Sequence, residues 1–90
     1  MSTTTTAPAA IKAKKAERGM ADVKKVARLL GIKTDVTEFP GLGKAVKTDT
    51  GAIYVNGGYA DVRGSKEQVA AWVKAGKGVE RSATYVRVAL

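Results

Sequence analysis

The stretch Gly51–Gly76, GAIYVNGGYADVRGSKEQVAAWVKAG, constrains the fold most, because it specifies two strands, their turn and the helix that follows. Asn56-Gly57-Gly58 is a strong hairpin signal: a type I′ turn needs positive φ at both central residues, which Asn and Gly adopt with least strain. A two-residue loop, Asn56-Gly57 or Gly57-Gly58, puts Ile53, Val55, Ala60 and Val62 on one face. A three-residue loop would flip one strand and carry Tyr59 into that apolar face, so the shorter loop is expected. Gly64 breaks the second strand, and Ser65 with Gln68 makes a capping box in which each side chain satisfies an orphan donor of the first helical turn. Val69, Trp72 and Val73 fall at i, i+3 and i+4, a stripe suited to packing on the hairpin, and Gly76 stops the helix.

Elements on either side extend this unit. Lys44–Thr48 reads as a strand joined to the hairpin through Asp49-Thr50-Gly51, a three-residue loop with glycine in the left-handed position. Thr84, Val86, Val88 and Leu90 alternate with Ala83, Tyr85, Arg87 and Ala89, so Arg81–Leu90 reads as a final strand. From Ala9 to about Gly31 the pattern is helical, with a break expected at Gly19 and Asp22 near a helix start, where the dipole favours an acid. Thr34–Gly43 reads as loop with a short strand at Asp35–Phe39 and Phe39 filling the core. The expected fold class is α+β: an N-terminal basic helical segment, a three-stranded antiparallel meander, one helix and a final strand, in the order α-β-β-β-α-β. Residues 1–8 are expected to form a flexible tail and residues 9–90 a single small domain. Ninety residues allow one modest core.

The chain has no cysteine and no histidine. That removes the thiol nucleophile, the disulfide framework, the commonest general base and the commonest metal ligand. The eight carboxylates are dispersed, with no pair at i, i+3 or i+4 inside an expected helix. Asp61, flanked by Tyr59 and Arg63, reads as a cross-strand polar partner, and a Ser65-Lys66 dyad conflicts with the capping box. The expectation is a non-enzymatic protein with no catalytic residue, no metal site and no cofactor. No apolar run approaches the ~20 residues that span a bilayer, and MSTTTTAPAA lacks the basic and apolar regions of a signal peptide. A cytoplasmic protein without a membrane partner is expected.

Charge points to a partner. Residues 1–33 carry eight basic side chains against two acidic, a net of +6, and residues 34–90 carry eight against six, a net of +2. A field concentrated in one segment favours a polyanion, nucleic acid first. On a helical wheel Met20, Val23, Val26, Ala27 and Leu30 share one side, while Lys24, Lys25 and Arg28 take the other, joined by Lys14 and Arg18. These five are the expected phosphate contacts. If the apolar strand residues face the core, the opposite sheet face carries Tyr54, Tyr59, Asp61, Arg63, Tyr85 and Arg87, with Lys47 beside them. Tyrosine rings stack on bases while Arg and Lys neutralise phosphates, so Tyr54, Tyr59, Arg63, Tyr85 and Arg87 form a second candidate surface, unless the N-terminal helix covers it. A third candidate is an anion site where Arg63-Gly64-Ser65-Lys66 meets a helix N-terminus. Gly41-Leu42-Gly43-Lys44 lacks the spacing and the following Ser or Thr of a phosphate-binding loop and reads as a turn.

Two local resemblances are to different nucleic-acid-binding folds. Val26-Ala27-Arg28-Leu29-Leu30-Gly31-Ile32 resembles the first helix and turn of helix-turn-helix DNA-binding domains, with the later hairpin in the place of a wing, as in winged excisionase-like proteins. It implies a recognition helix after Ile32, yet Val36 comes one residue early and Phe39-Pro40-Gly41 ends any helix within two turns. Thr50-Gly51-Ala52, Tyr54-Val55 and the run from Val62 through Gly64-Ser65 to Glu67-Gln68-Val69 are similar to the strand–strand–helix end of KH RNA-binding domains. The GXXG loop of that family has no counterpart here. The sequence is thus read as a small DNA- or RNA-binding regulatory protein of viral or bacterial type. The alternative is a protein-interaction or self-assembly module, such as a small viral structural or host-directed protein.

Overall fold

The computed structural model describes the backbone of residues 3–90 and the side chains of residues 16–90. Helix α1 spans Thr3–Leu30, followed by strands β1 (Ala45–Thr48), β2 (Gly51–Val55) and β3 (Tyr59–Arg63). Helix α2 (Lys66–Lys74) and strands β4 (Val79–Ser82) and β5 (Tyr85–Ala89) complete the chain. All strand pairings are antiparallel, in the order β1-β2-β3-β5-β4. The class is α+β, as expected, with the meander in place and five strands instead of four.

The organising unit folds as its residues dictate. Val55 pairs with Ala60, and the Asn56 amide donates to the Tyr59 carbonyl at 2.8 Å, so Gly57-Gly58 is a two-residue loop. Positive φ is confined to Gly58, which departs from the type I′ geometry expected of that loop. The Ser65 hydroxyl accepts from the Gln68 amide at 3.1 Å while the Gln68 side chain accepts from the Ser65 amide at 2.8 Å, closing the capping box. Val69 and Trp72 are buried and Val73 half-buried.

Six local expectations are corrected. Helix α1 begins at Thr3, ahead of Ala9. It also runs through Gly19 without a break. Gly19 serves a close approach instead: the Phe39 ring lies so near that an added Cβ would sit 2.3 Å from its Cδ2. Asp22 therefore lies well inside the helix and not at a start. Residues 35–39 form no strand. The segment before them is hooked to the β1–β2 turn, where the Lys33 amide donates to the Asp49 carboxylate at 3.0 Å and the Asp49 amide to the Lys33 carbonyl at 2.9 Å. Thr48 pairs with Gly51, so the β1–β2 loop is the two residues Asp49-Thr50, not three. Arg81–Leu90 is not one strand, since Ser82 pairs with Tyr85 and folds the segment into the β4–β5 hairpin.

Both helices pack on one face of the sheet. Val23, Val26, Ala27 and Leu30 of α1 and Val69 and Trp72 of α2 form one buried cluster with Val46, Ile53, Val55, Ala60, Val62, Val86 and Val88. Each buried Val, Leu or Ile side chain contributes about 1.5–3 kcal/mol on burial. The Trp72 indole N–H donates to the Leu30 carbonyl at 3.2 Å, satisfying an acceptor in the last turn of α1 and tying the two helices together. At Gly31, φ is 69° and the Ile32 amide bonds back to the Ala27 carbonyl at 2.9 Å, a stop that a residue with a Cβ adopts only under strain. No helix follows Gly31 before the sheet, so the recognition helix implied by the helix-turn-helix resemblance is absent.

Candidate functional site

Two surfaces carry the expected contacts. The first is the outer side of α1. Because Val23, Val26, Ala27 and Leu30 point into the sheet, the 100° step of the helix turns Arg18, Lys24, Lys25 and Arg28 outward, and all four are exposed. The side chain of Lys14 lies outside the described residues. Small Ala21 leaves a hollow of about 500 Å³ bordered by Lys24, Lys25, Arg28 and Leu29. Among the described residues one ion pair forms, Asp61–Arg87, so none of these four helix cations has a carboxylate partner there.

The second surface is the face of the sheet turned away from the helices. Register places Ala45, Tyr54, Asp61, Arg87 and Val79 opposite one another across all five strands, and Arg63 opposite Tyr85. Tyr54, Tyr59 and Tyr85 are half-buried, while Lys47 and Arg63 are exposed. Arg87 does not stand free. Its Nε and one terminal nitrogen donate to the two Asp61 oxygens at 2.9 and 3.3 Å, and its guanidinium carbon lies 4.0 Å from the centre of the Tyr59 ring. The Asp61 hydrogen bond, reinforced by that carboxylate's charge and opposed by desolvation, holds the guanidinium above its ordinary pKa. Asp61 is thus the cross-strand polar partner anticipated, with Arg87 as the residue it meets. Arg87 positions Tyr59 and neutralises Asp61, which makes it unlike the free cations Lys47 and Arg63.

The two surfaces are separated by the sheet and the helix layer. Helix α1 packs on the apolar face, so its described residues leave the tyrosine face open, and its own cations point the other way. The third candidate, where Arg63–Lys66 meets α2, has part of its donor set already in use. At the α2 N-terminus the Ser65 and Gln68 amides are consumed by the capping box, and a Cβ at Gly64 would lie 2.8 Å from the Trp72 ring. Gly41–Lys44 is a turn: the Gly43 amide donates to the Val55 carbonyl and the Lys44 amide to the Gly41 carbonyl.

One feature escapes sequence reasoning. Phe39, Pro40 and Leu42 meet α1 at Ala16 and Gly19 and the hairpin tip at Asn56–Gly58, enclosing a groove of about 690 Å³. Leu42 is 64% exposed at its rim. The only hint in the sequence is an apolar pair, Phe39 and Leu42, inside a Pro/Gly turn. Among the described residues no His/Cys/Asp/Glu group is arranged to hold a metal ion, and no helix is long and apolar enough to cross a membrane. Compared with family models, curated proteins and solved structures, the chain matches none.

Proposed function

We propose that this protein binds nucleic acid as a small, non-enzymatic regulatory factor, with the outer side of α1 laid along phosphates. The observation that carries the reading is the row of outward cations Arg18, Lys24, Lys25 and Arg28 on a continuous helix, none paired with a carboxylate among the described residues. Unpaired cations on a rigid rod repel one another, and a polyanion relieves that repulsion while releasing its counterions. Shape adds to charge, because a continuous helix can lie along a groove or a phosphate ridge.

A salt-titrated binding series on mixed-sequence DNA and RNA tests this. Affinity falls as salt rises, with a log–log slope of about 0.7–0.9 for each phosphate neutralised. Replacing Lys24, Lys25 and Arg28 with Ala flattens the slope by about three contacts and weakens all sequences alike. Affinity indifferent to salt refutes the reading. The competing reading, a protein-interaction or assembly module, draws on the Phe39–Leu42 groove. Concentration-dependent light scattering abolished by Leu42→Ser favours it, and a monomer at all concentrations counts against it.

A further inference from the structure

We propose that the outer face of the sheet is a second site, specific for single-stranded nucleic acid, that is filled independently of α1. The proposal rests on the nucleic-acid reading above and narrows it to a substrate form. Three observations carry it. The only carboxylate in the tyrosine row, Asp61, is cancelled by Arg87, while Lys47 and Arg63 remain exposed, so the face is net positive. Glu80 pairs with Val86 and so belongs to the other side of the sheet. Next, the tyrosines are spaced and do not cluster. Tyr54 and Tyr59 stand on neighbouring strands one side-chain row apart, about 8 Å between Cα atoms, and Tyr85 lies two rows from Tyr59, about 14 Å. Rings so placed can each take a separate base, Tyr59 only on the ring face that the Arg87 guanidinium does not cover. Finally, Tyr59 is held in place by the Arg87 guanidinium 4.0 Å from its centre, itself fixed by two hydrogen bonds, so little ordering remains to be done on binding.

Stacking on a ring needs a base that is not already stacked in a duplex, which selects the single strand. A duplex offers this face only phosphates, for which Lys47 and Arg63 are few. Helix α1 has the longer row of cations and no aromatic residue of its own. Each face therefore fits a different form of the same polymer.

The test uses the full chain, a labelled oligothymidylate of about twelve nucleotides and a labelled duplex of similar length, read by fluorescence anisotropy. Tyr59→Ala and Tyr54→Ala each lower oligothymidylate affinity about fivefold or more, while Tyr→Phe at the same positions retains it, because phenylalanine keeps the stacking ring. Duplex affinity is unchanged by these variants and falls in Lys24→Ala/Lys25→Ala/Arg28→Ala. Saturating duplex leaves the single strand bound. The far-ultraviolet circular dichroism of each variant verifies the fold, and Lys47→Glu/Arg63→Glu, at exposed positions, repeats the test without touching a ring. The proposal is overturned if the Tyr→Ala variants and the charge reversal keep wild-type oligothymidylate affinity, if duplex displaces the single strand, or if the wild type binds duplex alone. Failure of the wild type to bind either probe overturns the underlying nucleic-acid reading instead.

Discussion

Replacing Gly19 with alanine sets two known effects against each other at one atom. Glycine inside a helix costs about 1 kcal/mol relative to alanine, so on helix propensity alone Gly19→Ala stabilises by that amount. The structure opposes it. The new Cβ would meet Phe39 at 2.3 Å from Cδ2 and 2.5 Å from Cγ and Cε2, with the broad side of the ring in the way. Carbon atoms rest at about 3.5–4.0 Å, so the ring must retreat by about 1 Å, lifting the Thr37–Leu42 segment off α1. Overpacking of this kind costs about 1–3 kcal/mol. The net expectation is a loss of about 1 kcal/mol, or about 4–8 °C in Tm for a domain this small. In a Phe39→Ala background the obstruction is gone and Gly19→Ala gains its full ~1 kcal/mol. A double-mutant cycle by urea unfolding, followed through the buried Trp72, measures the coupling, expected at about 1–3 kcal/mol. If Gly19→Ala raises the midpoint equally in both backgrounds, the contact with Phe39 does not constrain the helix and the account of why Gly19 is glycine is wrong.

Three further outcomes follow from named contacts. Trp72→Phe removes the indole N–H from the Leu30 carbonyl and costs about 1–3 kcal/mol by circular dichroism, since the acceptor is left in a buried site; an unchanged midpoint would mean water replaces the donor freely. Ser65→Ala opens the capping box and costs about 1 kcal/mol, with Ser65→Asp retaining most of the stability. Asp61→Asn breaks a part-exposed ion pair and leaves the urea midpoint close to that of the wild type. It also frees Arg87, so single-strand affinity rises and the salt slope steepens by about one contact; a fall in affinity would show that ordering Tyr59 outweighs the released charge.

The parts of this molecule legible in sequence are those set by local chemistry. A two-residue turn within Asn56–Gly58, the Ser65/Gln68 capping box and the alternation of Ile53, Val55, Ala60 and Val62 each depend on residues a few positions apart, and each is present, the turn in a type other than I′. What sequence could not reveal depends on distant partners. Gly19 reads as a break because glycine weakens a helix, yet Phe39, twenty residues on, occupies the space a side chain would need. Ser82–Tyr85 gives no Gly or Asn signal for a turn, so the β4–β5 hairpin hides inside an alternating run. Candidate surfaces behave the same way. The wheel of α1 separates Arg18, Lys24, Lys25 and Arg28 from its buried side, whereas the pinning of Arg87 and the Phe39–Leu42 groove depend on tertiary neighbours.

The strand order has a consequence for how the molecule assembles and fails. Pairings β1–β2, β2–β3 and β4–β5 join neighbours in sequence, but β3–β5 brings Tyr59 to Ala89 and Arg63 to Tyr85 across the whole of α2. The sheet is therefore two locally formed ribbons joined along one seam, and closing the loop across that seam is the slow, entropically costly step. When the seam parts, β3 and β5 each present a bare edge of matching register. A second molecule opened in the same way offers the complementary edges, and the loop at 75–78 acts as the hinge of an exchange between them. Refolding at high protein concentration is then expected to yield a swapped dimer that dilution alone dissolves slowly, and its absence under those conditions would place the weakest join elsewhere in the sheet.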